Sequence, residues 1–274
     1  MQDVAKIPAD KLGDGSPVGA EILETEEDLF HDIARTTINK LRENEALGKP
    51  TVLILPIGPV GQYPRLARIC NVDDISLRNV WCINMDDYLT EDGDLVPLDH
   101  PFSFRGYMQR NFLDLLDDDL APPEEQVVFP DPDDLQKLPR LIDELGGVDI
   151  CYAGIGINGH IAFNEPPEPG EEMSADEFAE LPTRIVRIAR ETRAVASIKV
   201  GGDRKAVPRT AVTIGMKECL SARELRIYAY RPWHPAVIRG LLHGPVTAKL
   251  PCSLAQTHDN ATLLMTEAVA DGGE

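Results

Sequence analysis

No run in the 274-residue chain approaches the roughly 18 consecutive apolar residues of a membrane span. The opening stretch MQDVAKIPADKLGDG has no apolar core of the kind a secretory signal requires. Paired cysteines are missing too. Cys70, Cys82, Cys151, Cys219 and Cys252 are scattered, none forms a C-x-x-C pair, and most lie in apolar runs. They read as reduced core thiols. Positive charge is scarce: 27 Lys and Arg face 46 Asp and Glu, for a formal net charge of −19. That balance repels nucleic-acid phosphates and anionic lipid headgroups. No helix-turn-helix segment precedes residue 50, which disfavours a DNA-binding regulator. These absences set aside membrane insertion and nucleic-acid binding. They point to a cytoplasmic protein that handles a small molecule, alone or as a homo-oligomer.

What is present is enough apolar material, 43% of residues, for one large α/β domain. Residues 1–24 read as an irregular lead-in and 25–274 as a single domain. A helix starts at Thr25, where Thr25 and Asp28 fit a capping box, and carries the stripe Leu29, Ile33, Ile38 and Leu41 to an end near Gly48. Short apolar runs at 51–58, 80–89 and 148–156 read as buried strands. Further strand candidates are 183–189, 211–215, 224–230, 252–256 and 261–266. Helical patterns such as Phe104–Leu116 and Pro235–Leu242 lie between them. Strands alternating with helices predict a three-layer α/β fold, a parallel sheet covered by helices on both faces. The acidic, Pro-rich segment PPEPGEEMSADEFAE (166–180) reads as a solvated loop or, since it follows Glu165 directly, as a mobile lid.

In open parallel sheets, ligands bind beyond the carboxyl ends of the strands. Three strands here end in unusual residues. The strand at 51–58 runs into GPVG. The strand at 80–89 ends in Asp86 and Asp87. The strand at 148–156 opens CYAGIGINGHIAFNEPPEP, which presents Asn158, His160 and Glu165 on a glycine-rich turn. A histidine with a carboxylate partner shuttles protons near neutral pH. A carboxylate at an apolar strand end acquires a raised pKa and serves as a carbon-acid base. Moving a proton from C2 to C1 of a sugar needs such a base, and opening the sugar ring needs a shuttle at the ring oxygen.

The motifs NMDDYL, HPFSFRGYMQRNFLD, GIGINGHIAFNEP, ETR and VPRTAVTIGMKECLSARELRI, in that order between about residues 50 and 258, resemble glucosamine-6-phosphate deaminases. GHIAFNEP is the most specific of them. The related phosphogluconolactonases share the fold but usually lack the FNEP ending. The resemblance implies a Rossmann-like α/β fold with one site at the strand ends, and aldose–ketose isomerisation with loss of ammonia from C2, using neither metal nor organic cofactor, on an amino sugar or sugar phosphate. It assigns Asp86 as the base that carries the C2 proton to C1, His160 to ring opening, and Glu165 to holding His160. It places Gly58, Asp87, Gly156, Gly159, Arg193 and His234 in the substrate site. The glycines around His160 let the backbone approach the substrate closely.

The chain also departs from the family. Asn158 stands where an Asp usually completes the relay with His160 and Glu165. An amide does not stabilise an imidazolium as a carboxylate does, so Asn158→Asp is expected to raise activity. Asp87 replaces a Glu. The phosphate loop, in the family like L-P-T-G-G-T-P, reads Leu55-Pro56-Ile57-Gly58-Pro59-Val60-Gly61, in which Pro59 has no N–H and Val60 no hydroxyl. Two basic positions of the family align with Ile198 and His234. Altered or absent recognition of the 6-phosphate is therefore expected, with Lys199, Arg204, Lys205, Arg209, Arg231 or His234 as replacement cations. A non-catalytic sugar-binding protein and a sugar lactonase are the alternative readings.

Overall fold

The computed structural model describes residues 4–272. In chain order its first half runs β1 (Gly19–Leu23), α1 (Glu26–Ala46), β2 (Thr51–Leu55), α2 (Gln62–Asp73), β3 (Val80–Asn84), β4 (Asp86–Leu89), α3 (Phe104–Asn111), β5 (Val127–Val128), α4 (Lys137–Glu144) and β6 (Ile150–Gly154). The second half runs α5 (Ala175–Ala179), β7 (Arg184–Arg187), α6 (Arg190–Ala196), β8 (Thr210–Thr213), α7 (Met216–Leu220), β9 (Glu224–Ala229), α8 (His234–His243), β10 (Ala261–Thr266) and α9 (Glu267–Ala270). Seven strands form a parallel sheet in the order β1-β10-β9-β6-β2-β3-β5. A separate antiparallel sheet has the order β4-β8-β7.

The large sheet is buried on both faces because its strands are apolar at successive positions. In β2, Val52 and Ile54 point into a core with Leu138 and Ile142 of α4 and Val237 and Ile238 of α8. Leu53 and Leu55 point the other way, onto Leu29 and Ile33 of α1 and Leu66 of α2. Each such fully buried side chain contributes roughly 1.5–3 kcal/mol by leaving water. The start of α1 is fixed as its sequence predicts. Thr25 Oγ1 accepts from Asp28 N–H, and the Asp28 carboxylate accepts from Thr25 N–H. After the helix ends at Ala46, Gly48 turns the chain at φ +66°.

Several sequence expectations are corrected. The lead-in is not irregular to residue 24, because β1 pairs in parallel with β10 as an edge strand. The run 80–89 is two strands, not one. It breaks at Met85, whose N–H donates to Leu55 O and whose carbonyl accepts from Ile214 N–H, so β4 leaves the large sheet and pairs antiparallel with β8. Residues 184–187 and 210–213 likewise belong to the small sheet. The run 252–256 lies in a 3-10 helix, Pro251–Thr257. Pro251 has no N–H for a strand ladder and suits the first turn of a helix. The helix from Phe104 stops at Asn111 and is followed by a single 3-10 turn.

Candidate active site

The strands β6, β2 and β3 are neighbours in the sheet, and β9 lies on the far side of β6. β2 continues toward β3 on one side, while β6 pairs with β9 on the other. The crevice above this switch is a cavity of about 580 Å³. Asp86 and His160 both line it.

His160 is held by a dense set of partners on one edge. Its Nδ1 lies 2.9 Å from Asn158 Oδ1 and 3.0 Å from Glu165 Oε2. Both neighbours accept at these positions, so Nδ1 carries the proton and Nε2 is left as the basic nitrogen. Thr192 Oγ1 adds a longer contact of 3.4 Å to Nδ1. Asn158 Nδ2 donates to Glu165 Oε2 at 2.6 Å, and Glu165 Oε1 accepts from Ala189 N–H at 3.2 Å. Burial alone would raise the Glu165 carboxyl. The charge of His160 and hydrogen bonds from His160, Asn158 and Thr192 outweigh it and hold the group below its ordinary value. The imidazole lies flat on Gly156, where any Cβ would sit 2.1–2.4 Å from three ring atoms. The same turn carries Ala162 at φ +51° on the cavity wall, a left-handed conformation that costs an L-residue roughly 1–2 kcal/mol.

Asp86 is in a different environment. It begins β4 directly after the break at Met85 and is 6% exposed. Burial, then the neighbouring charge of Asp87, push its carboxyl well above the ordinary value. The Phe163 N–H and the Thr213 hydroxyl oppose that shift only in part. Around it stands an aromatic group in which Tyr88 packs on Phe102, Phe104 and Phe163 with ring centroids 5.1–5.6 Å apart. A carboxyl in such a setting is a stronger base than an exposed one.

Other expected site residues are placed elsewhere. Asp87 is fully buried and faces away from the cavity. It accepts from Tyr88, Phe104 and Arg105 N–H and pairs with Arg105 Nε at 2.9 Å. It therefore anchors the start of α3 rather than touching a substrate. Arg193 does not line the cavity. Its guanidinium donates to Arg204 O and Val207 O. Gly159 lies under the turn at φ +85°, against Leu250 and Cys252, with its carbonyl accepting from Cys252 N–H. Gly58, Gly156 and His234 do line the cavity. His234, however, is no cation. Burial pushes it down to about 4, its Nε2 donates to Ile155 O, and its Nδ1 accepts from Arg231 N–H. Segment 166–180 does not reach the cavity, and its last part folds as α5.

The cavity also has members that the sequence did not single out. Thr192 joins the relay, and Tyr107, Tyr230 and Phe163 form walls. Thr192, Tyr107 and Phe163 lie inside the motifs ETR, HPFSFRGYMQRNFLD and GIGINGHIAFNEP, but their place at the cavity and its relay is set by the fold. Of the replacement cations considered, Lys199 and Arg231 line the cavity, whereas Arg204 and Lys205 line a different concavity. Among the described residues, no group of three or more His, Cys, Asp and Glu is placed to hold a metal ion, and no helix is long and apolar enough to cross a membrane.

No family model matches the chain. Individual proteins do. The chain is 31% identical over 229 residues to a glucosamine-6-phosphate deaminase of Phocaeicola vulgatus, covering 81% of both proteins. It is 31% identical over 240 residues to that of Caenorhabditis elegans, covering 85% of this chain and 84% of the relative. A solved monomeric glucosamine-6-phosphate deaminase superposes with a TM-score of 0.79 at 27% identity, over 93% of this chain and 100% of that one. A 6-phosphogluconolactonase from Trypanosoma cruzi superposes with a TM-score of 0.68 at 15% identity, a likeness of fold alone. The extent and identity of the first two matches place this chain in the glucosamine-6-phosphate deaminase family.

Proposed function

We propose that this chain is an amino-sugar deaminase and isomerase, which converts a 2-amino aldose to the ketose with release of ammonia. The observation that carries the reading is the pairing, across one cavity, of a buried Asp86 with raised basicity and a His160 whose free Nε2 is fixed by Asn158 and Glu165. Nε2 takes the proton of the O1 hydroxyl and delivers it to the ring oxygen as the C1–O5 bond breaks, and the sugar opens to its aldehyde. Asp86 removes the C2 proton, leaving an enolamine across C1 and C2. Returning that proton to C1 gives a C2 imine, which water hydrolyses to the ketone with loss of ammonia. Glu165 stabilises the imidazolium formed in the first step, at a site where Asn158 supplies orientation rather than charge. The five buried, unpaired cysteines support a reducing cytoplasmic location.

The test is to offer glucosamine 6-phosphate and glucosamine, and separately 6-phosphogluconolactone, and to assay ammonia, ketose and lactone hydrolysis. Ammonia and ketose appearing together from an amino sugar is the expected result. Lactone hydrolysis without ammonia would select the lactonase reading. Binding of an amino sugar with no turnover would select a non-catalytic role.

A further inference from the structure

Charge is distributed unevenly along the chain. Residues 184–209 hold eight of its 27 basic residues and two of its 46 acidic ones. The fold gathers four of those eight around a second concavity of about 380 Å³: Arg190 and Arg193 of α6, and Arg204 and Lys205 of the loop before β8. Gly202 and Asp203 complete its wall, and it shares no lining residue with the cavity of Asp86 and His160. Among the described residues, none of the four cations forms an ion pair with a carboxylate. Even Asp203 is turned to the backbone, its Oδ1 accepting from Lys205 N–H at 2.9 Å. Like charges held together repel, and this chain has a surplus of acids with which to relieve them. Charges more than roughly 10 Å away are screened at physiological salt, so the acidic remainder of the chain does not neutralise the cluster. The cluster is nevertheless fixed in place. Arg193 Nη2 donates to Arg204 O at 2.7 Å and to Val207 O at 3.4 Å, tying the loop to the helix. Gly202 N–H donates to Ser197 O at 2.8 Å, and a Cβ on Gly202 would meet nothing within 4 Å, so the space before it is open. Arg193 Nε is buried with no hydrogen-bond partner, so the shortage of acceptors reaches beneath the wall.

We infer that this second concavity binds a compact polyphosphate, a linear di- or triphosphate chain, held by Arg190, Arg204 and Lys205. The charge balance selects that class. Four cations and one carboxylate leave three positive charges on the wall. A phosphate monoester brings about two negative charges at neutral pH and leaves the wall under-neutralised, whereas a chain of two or three phosphates matches it. Two of the three holding cations are Arg, whose planar forks pair with phosphate oxygens two at a time. All three are exposed, so an anion reaches them without displacing any contact. The site is independent of the amino-sugar reading. α6 stands between the two, with Thr192 touching His160 on one side and Arg190 and Arg193 lining the concavity on the other.

The test is calorimetric titration of the full chain, in buffer free of divalent metal, with inorganic phosphate, pyrophosphate, tripolyphosphate and ATP. Tripolyphosphate should bind at least about tenfold tighter than inorganic phosphate, the scale of one further charge-assisted contact. The double variant Arg204→Met, Lys205→Met should weaken tripolyphosphate binding by about tenfold or more, and Arg190→Met by about threefold or more. These side chains are exposed and unpaired, and Arg204→Met keeps the carbonyl that holds Arg193, so melting temperatures should stay near the parent value. Arg231→Met removes a cation from the substrate cavity instead and should change tripolyphosphate binding by less than about threefold. ATP binding tighter than tripolyphosphate assigns a nucleotide to the site. Equal or weaker binding of ATP assigns the bare phosphate chain, and either result supports the inference. The inference is overturned if tripolyphosphate binds no tighter than inorganic phosphate, if the double variant retains that binding, or if Arg231→Met abolishes it.

Discussion

The two ends of the cavity are built on opposite principles. At the His160 end the polar atoms are held by named partners, save the Nε2 that faces the cavity. Asn158, Glu165 and Thr192 converge on Nδ1, Ala189 N–H caps the remaining Glu165 oxygen, and Gly156 lets the ring lie flat. At the Arg231 end the walls are largely apolar and aromatic, and one buried donor, the Trp233 indole N–H, has no partner. Proton transfer fixes atoms to within tenths of an ångström, so few residue sets satisfy it. Charge recognition needs only a cation within reach, so it can move from one loop to another. This contrast explains how the catalytic motif is retained while Ile198, which is 71% exposed, and neutral His234 occupy the basic positions of the family.

The sharpest way to break the contrast is to remove the base. Asp86→Asn should lower ammonia release by about 10²–10⁴-fold, the usual contribution of a positioned general base. The same change should raise the melting temperature at neutral pH. The folded pKa of Asp86 lies above its unfolded value, so the folded state binds more protons between the two, and stability falls as pH rises through that window. The gain from Asn should therefore vanish below about pH 4, near the ordinary Asp value. Melting curves from acid to neutral pH check both signs. An Asn variant that melts lower at pH 7 would contradict the assigned shift.

Gly156→Ala probes the His160 end by geometry alone. Its Cβ would overlap the imidazole, and displacing a catalytic group by about 1 Å costs roughly 10²-fold. The loss should fall on kcat rather than KM. Arg105→Ala tests the claim that Asp87 is structural. It leaves a buried carboxylate without its ion-pair partner. With Arg105 28% exposed, the penalty should be about 2 kcal/mol in denaturant unfolding, below that of a fully buried pair. Unchanged stability with altered substrate affinity would return Asp87 to the site. The smallest effect is expected at Asn158. Sequence alone argues that Asn158→Asp restores a missing charge and raises activity. The geometry argues otherwise, because Asn158 Nδ2 donates to Glu165 at 2.6 Å and an Asp would face that carboxylate as a second acceptor. The predicted change in rate is under about threefold. A tenfold gain would show that charge, not the hydrogen bond, is what the relay lacks.

Much of this was legible in the sequence. The capping box at Thr25, the buried runs and the clustering of Asp86, His160 and Glu165 at strand ends follow from periodicity and local chemistry. The misreadings have identifiable causes. Residues 80–89 read as one apolar run interrupted by Asn84, Asp86 and Asp87, and nothing in that run announces that Met85 hands the chain to a second sheet. GAEIL at 19–23 lacks a clear apolar alternation because it lies at the sheet edge, where only Ala20 and Leu23 are even partly covered. Asp87 reads as a site acid because it adjoins Asp86, whereas successive residues of a strand point to opposite faces. Thr192, Tyr107 and Phe163 lie inside visible motifs, but that they meet Tyr230 around one cavity and its relay is set by tertiary contacts.

The central claim is that Asp86 carries one proton from C2 to C1. It is tested most directly with glucosamine 6-phosphate deuterated at C2, following by NMR the label at C1 of the ketose and its loss to solvent. The chain with Asp86 intact should deliver part of the deuterium to C1, and Asp86→Asn should abolish both transfer and exchange. Transfer or exchange at the parent rate in Asp86→Asn would contradict the account and place the base elsewhere in the cavity.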